Sequence, residues 1–101
     1  MMFPKPTKIR SKKITGSSKG KPCQLRTPHC NHRNETVVFC HAPSPEKGMG
    51  TKSDDFWGAD GCSSCHRFLD EECDPKVALQ YWMPAIYRTQ KRLFTEQIMK
   101  I

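Results

Sequence analysis

The chain has no acidic residue before Glu35. It also lacks any long apolar run. Nothing in it approaches the roughly 20 apolar residues that span a bilayer, which excludes a helical transmembrane protein. The N-terminus is basic, but no apolar segment follows it, so a secretory signal is not expected. Apolar residues are scarce, at 36% of 101 residues, and no internal repeat is visible. That length fits one small domain. Chains this short bury only about 60–70% of the surface that the unfolded form exposes. Something besides hydrophobic burial is therefore expected to staple the fold.

Positive charge is plentiful, with 17 Lys and Arg against 10 Asp and Glu, a net of +7. Nine of the basic residues lie between Met1 and Asn34, and the remainder of the chain has a small acidic excess. The positive excess thus belongs to the N-terminal part. Residues 1–21, with Lys12, Lys13, Lys19 and Lys21, read as a flexible basic arm that seeks a polyanion. The alternative is a solvated tail that only aids solubility.

Six cysteines admit either a disulfide framework or a metal site. Without a secretory signal the expected compartment is the cytoplasm, where disulfides are rare. Cys62-Ser63-Ser64-Cys65 is a C-x-x-C knuckle, a turn that aims two thiolates at one tetrahedral centre. Cys23 and Cys30 form a second, looser pair around Pro28. Together they suggest a four-thiolate structural zinc, which would supply folding free energy directly. His29 or His32 is an alternative to one thiolate. A redox C-x-x-C competes, but no βαβ pattern precedes it. Cys40 and Cys73 are left over and read as small, partly buried hydrophobes.

Along the chain, Thr36–His41 reads as a strand, β-branched and aromatic, stopped by Pro43 and Pro45. Residues 48–55 read as a loop, and 56–61 as a weaker second strand leading into the knuckle. A helical stretch follows from Cys65 to about Glu72. Asp74-Pro75 reads as a helix start. Val77, Leu79, Tyr81, Trp82, Ile86, Tyr87, Leu93, Phe94 and Ile98 then recur at helical spacing. Pro84 predicts a kink or two helices. The aromatic stripe reads as core packing in preference to a base-stacking platform.

His66 and Asp70 are four residues apart, so on a helix they share one face. A His and a carboxylate so placed can hold one divalent metal with positions left open for water or phosphate. If the ribbon packs on that helix, His41 can face the same spot. These are the parts needed for metal-assisted phosphodiester hydrolysis. The alternative is that His66 only supports the zinc knuckle or sits on the surface.

The ordered set Pro22-Cys23-Gln24-Leu25-Arg26, Cys30-Asn31, Asn34-Glu35-Thr36, His41, Gly48-x-Gly50-Thr51-Lys52, Asp55, and Cys62-Ser63-x-Cys65-His66 with Asp70 resembles the small prophage nuclease family typified by YbcO. That family is similar to the HNH, or ββα-metal, endonucleases. The resemblance spans about residues 10–95 and includes Arg88-Thr89-Gln90. It implies that His41 is the general base and that His66 and Asp70 hold a catalytic Mg²⁺, Mn²⁺ or Zn²⁺. It further implies that Asp55 takes the middle position and braces the loop that aims His41. Cys23, Cys30, Cys62 and Cys65 would hold the structural zinc, and Gly48, Gly50 and Lys52 would shape a phosphate-binding loop. Two positions depart from the HNH pattern. Cys40 stands where many such enzymes have an acidic metal ligand, and Asp55 stands where they have Asn.

The expected fold is α+β, a small zinc-stapled HNH-like ββα-metal domain over residues 22–101 with C-terminal helices, preceded by the arm. The expected function is a phage or prophage metal-dependent endodeoxyribonuclease in the bacterial cytoplasm. DNA would be held by Lys12, Lys13, Lys19, Lys21, Lys52, Arg67 and Arg88. Phage or host recombination proteins are further partners, and the chain could be a monomer or a homodimer. Two other classes stand beside it: a non-catalytic zinc-knuckle DNA-binding or recombination accessory protein, and a protein-interaction module using the C-terminal aromatic helices.

Overall fold

The computed structural model describes residues 9–43 and 53–100. Lys52 and the 48–51 loop motif lie outside the described residues. The order of elements is α1 (Lys12–Ser17), β1 (Val38–His41), β2 (Gly58–Gly61), α2 (Ser63–Arg67) and α3 (Pro75–Thr95). The fold is α+β, and no helix among the described residues is long and apolar enough to cross a membrane.

The two strands pair antiparallel, Phe39 opposite Asp60 and Cys40 opposite Ala59. Both are shorter than the β-rich runs predict. Asn34–Thr36 is spent on a 3-10 turn before β1, and a turn closed by Trp57 N–H on the Asp54 carbonyl (2.9 Å) precedes β2. Glycine is required at Gly58, where a Cβ would collide with the Cys40 carbonyl oxygen and the Phe39 ring. Trp57 latches the mouth of the ribbon. Its carbonyl accepts from Ala42 N–H at 3.0 Å and from Ser53 Oγ at 3.1 Å. Its indole N–H donates to the Pro43 carbonyl at 2.9 Å.

Alternation along β1 splits the core in two. Cys40 belongs to the larger cluster, with Val37, Ala59, Cys62, Cys65, Leu69, Trp82 and Ile86. Phe39 belongs to a smaller one, with Ile14 of α1 and Leu93 of α3. The small cluster shows that the described part of the expected arm is folded onto the body. Ser11 caps α1 by accepting from Ile14 N–H, and Ile14 is buried. Asp60, fully buried, is gripped by both arms of the Arg92 guanidinium at 2.8 and 2.9 Å. Arg92 also donates to Ser17 Oγ at 3.1 Å, and Lys21 pairs with Glu96 at 3.2 Å.

After β2, Cys62 caps α2 through its sulfur. The helix then widens into a π-helical turn, Phe68–Glu72, and ends where Asp74 caps α3 with Pro75 in its first turn. The expected C-terminal helices are one helix, which Pro84 does not divide. Pro84 is exposed, whereas Trp82, Ala85 and Ile86 on either side are buried. The missing N–H therefore falls where water can serve the freed carbonyl, while packing holds the helix axis. Ala78, Trp82, Ala85, Ile86, Thr89 and Leu93 form the buried stripe. Val77, Leu79, Tyr87 and Phe94, expected in the core, are exposed instead.

Candidate metal centre and catalytic site

The sulfurs of Cys23, Cys30, Cys62 and Cys65 all lie within 4.8 Å of one another. The Cys30 and Cys62 sulfurs are 3.8 Å apart, and tetrahedral zinc with bonds of about 2.3 Å places its sulfurs about 3.8 Å apart. The surroundings fit a four-thiolate centre as well. Each sulfur accepts a hydrogen bond from a backbone N–H or a hydroxyl: Cys23 from Cys62 N–H at 3.3 Å, Cys30 from His32 N–H at 3.4 Å, Cys62 from Cys65 N–H at 3.4 Å, and Cys65 from the Thr27 hydroxyl at 3.2 Å. Donors of this kind orient thiolates and disperse their charge. His32 reaches its sulfur by taking a left-handed conformation, φ 58°.

Four sulfurs this close cannot all ionise unless a cation binds. Burial pushes the Cys65 and Cys30 thiols up. Burial acts the same way on Cys62, but backbone donors at Asn31 and Cys65 outweigh it and pull that thiol down to about 7. Neither His29 nor His32 belongs to the ligand group. The His29 ring is stacked on Phe68, centroids 4.3 Å apart.

The remaining candidates form two pairs. His41 Nε2 lies 2.7 Å from Asp55 Oδ1. The Asp55 carboxylate also accepts from Ser11 N–H at 2.7 Å and from Arg10 at 3.2 Å. Burial tends to raise the Asp55 pKa, but these donors, His41 first, hold it below the usual carboxylate range. An ionised Asp55 accepts a hydrogen bond from Nε2–H, which leaves Nδ1 of His41 as the acceptor. His41 sits on the Phe39 side of β1, with the two rings edge to face at 5.2 Å. The second pair is His66 Nε2 and Asp70 Oδ2, 3.0 Å apart and one helical turn from each other.

His66 lies on α2 and Asp70 on the π-helical turn that follows it, where the charge of Asp70 is felt by the Cys40 thiol. The structure makes two dyads and does not gather all four side chains into one ligand group. Among the described residues, the four cysteines are the one cluster of three or more ligating side chains within reach of a single ion. Cys40, at the position of the missing acidic ligand, is fully buried. Burial pushes its thiol far up, and its sulfur does not belong to the four-cysteine group.

Of the expected DNA-contacting residues, Lys12, Lys13 and Lys19 are exposed. Lys21 is tied to Glu96 and Arg67 to Glu71. Arg88 turns inward onto Gln24, its Nε 3.0 Å from the side-chain oxygen. The sequence reading missed Thr27, Ser11 and Arg10. A Thr-Pro pair inside the Cys23–Cys30 loop was the visible sign of the first, and nothing local marks the other two.

These features define a small α+β domain built on a four-cysteine centre, with a His–Asp pair at the mouth of its ribbon. The family described as "Putative nuclease YbcO" matches residues 12–98, and the chain belongs to that family. It is similar to the solved structure of "a putative bacteriophage protein from Escherichia coli str. K-12 substr. MG1655", with a TM-score of 0.66 and 28% identity, covering 82% of this chain and 98% of that one. No curated protein matches the chain.

Proposed function

We propose that this protein is a phage- or prophage-encoded, metal-dependent endodeoxyribonuclease of the HNH, or ββα-metal, type, working in the bacterial cytoplasm. The observation that carries this reading is the His41–Asp55 pair in a chain of a nuclease family. The ββα order of β1, β2 and α2 supports it. His41 takes a proton from the attacking water at Nδ1, and Asp55 fixes the ring and stabilises its charged form. Asp55 thus does by a direct hydrogen bond what the middle residue was expected to do by bracing a loop.

His66 and Asp70 would hold the catalytic divalent ion. They are half-exposed and share one helix face, and an imidazole with a carboxylate suits Mg²⁺, Mn²⁺ or Zn²⁺ with coordination positions left for water and phosphate. Such an ion supplies Lewis-acid stabilisation of phosphoryl oxygens. Cys23, Cys30, Cys62 and Cys65 would hold zinc and keep the loop 23–36 against α2. Lys12, Lys13, Lys19 and Lys52 would hold the DNA backbone without reading sequence.

The test is cleavage of plasmid and single-stranded DNA with Mg²⁺, Mn²⁺ or EDTA, using His41→Ala beside the wild type. Removal of a general base should cost about 10²–10⁴-fold in rate with zinc content unchanged. Full activity in His41→Ala would sink the assignment. A second reading, a zinc-knuckle DNA-binding or recombination accessory protein, is favoured by the two-residue ligand set at His66 and Asp70. It predicts binding without cleavage under every metal condition.

A further inference from the structure

Helix α3 has a second apolar stripe that the fold leaves uncovered. Leu79, Met83, Tyr87 and Phe94 lie along one side and are 49%, 51%, 64% and 40% exposed. No acidic residue occurs between Pro75 and Thr95. Lys76 and Lys91 edge the stripe, and the Lys91 ammonium lies 5.9 Å from the centre of the Tyr87 ring. At the C-terminal end the chain leaves the helix through Gln97, whose φ is 60°. Ile98 and Met99 both return their N–H groups to the Leu93 carbonyl, at 2.9 and 3.1 Å. This reversal brings Met99 and Lys100 back beside Phe94 and shapes an open surface hollow of about 400 Å³ lined by Phe94, Gln97, Met99 and Lys100.

We propose that this end of α3 binds an unstacked, single-stranded segment of DNA, apart from the His41–Asp55 pair. One base stacks on Tyr87 and another enters the Phe94 hollow, where the Gln97 amide can meet its edge. Lys91 and Lys100 take the intervening phosphates. Seven residues separate the two rings in sequence, about 10 Å along the helix. Exposed aromatic faces interleaved with cations are the recurring means of holding single strands without reading sequence.

Charge selects this occupant. A second copy would bring Lys76 and Lys91, on a helix with no acidic residue between Pro75 and Thr95, against their like. Four exposed side chains also fall well short of the roughly 800 Å² per partner that a stable dimer buries. The inference rests on nucleic acid being the substrate class, and not on cleavage.

The experiment is fluorescence anisotropy with labelled oligo-dT and with a duplex of equal length, on full-length His41→Ala protein so that neither probe is cut. Tyr87→Ala and Phe94→Ala should each weaken oligo-dT binding by about 5- to 150-fold while duplex affinity stays within about twofold, and Tyr87→Phe should retain single-strand affinity. Unchanged oligo-dT affinity in alanine variants with wild-type circular dichroism would overturn the proposal. So would an equal loss on both probes, or no binding to oligo-dT at all. A concentration-dependent dimer that Tyr87→Ala dissolves would assign the stripe to a second copy and overturn it too. Plasmid cleavage by the wild type is scored separately, so single-strand binding without cutting counts against the nuclease reading alone.

Discussion

Replacing Thr27 with Val probes the four-cysteine centre without touching a ligand. The Thr27 hydroxyl donates to the Cys65 sulfur at 3.2 Å and accepts from His29 N–H at 3.1 Å. Thr27 is itself buried, so water has poor access to replace either bond. Valine keeps the shape and removes both. Loss of an outer-shell donor typically costs 10–100-fold in metal affinity, about 1.4–2.7 kcal/mol. The stranded His29 amide adds about 1–3 kcal/mol of destabilisation. Zinc affinity, measured by competition with a chromophoric chelator, should therefore fall by about one to two orders of magnitude. Thr27→Ser, which restores the hydroxyl, should recover most of it. Fluorescence of Trp82, 1% exposed, reports whether the core survives. If Thr27→Val binds zinc as tightly as the wild type with its fold intact, the hydroxyl does not serve a metal-bound thiolate and the role assigned to Thr27 fails.

Two further predictions concern the rest of the fold. Arg92→Met should cost about 3–5 kcal/mol in urea unfolding, because it strands the buried Asp60 charge. Replacing both, as Asp60→Leu with Arg92→Met, should recover much of that, and equal losses in the single and double variants would argue against a charge effect. Asp55 has a depressed pKa in the folded state, so the stability it contributes is complete above the unfolded carboxylate value of about 3.9 and fades as pH falls through the lower folded value. Asp55→Asn should flatten the dependence of stability on pH in that acid window, and an unchanged slope would show that the carboxylate is not held by His41, Ser11 and Arg10.

What the sequence made legible was local. A C-x-x-C turn aims two sulfurs by its own geometry, and the second cysteine pair had to meet it for a tetrahedral site to form. Asp74-Pro75 starts α3 because capping and a fixed φ act over one turn. The docking of α1 was not legible, because it depends on Asp55 and Asp60, which lie more than forty residues further along the chain. Neither was the orientation of α3. Its residues make two apolar stripes, and periodicity alone does not say which faces inward. A two-stranded ribbon can cover only one, and the stripe with small Ala78 and Ala85 is the one that lets α3 approach it closely.

The Trp57 latch bears on how the fold can change. The two ends of segment 44–52 are stitched to each other, Ala42 and Pro43 to Trp57 and Ser53 to the same residue. When the ends of a loop are fixed in this way, each doubling of its length costs only about 0.6 kcal/mol. The stretch between them is therefore a cassette. A change in chain length between Pro43 and Ser53 leaves the ribbon and the cysteine centre free to keep their geometry. This stretch is also the natural place to splice in a reporter without disturbing the fold.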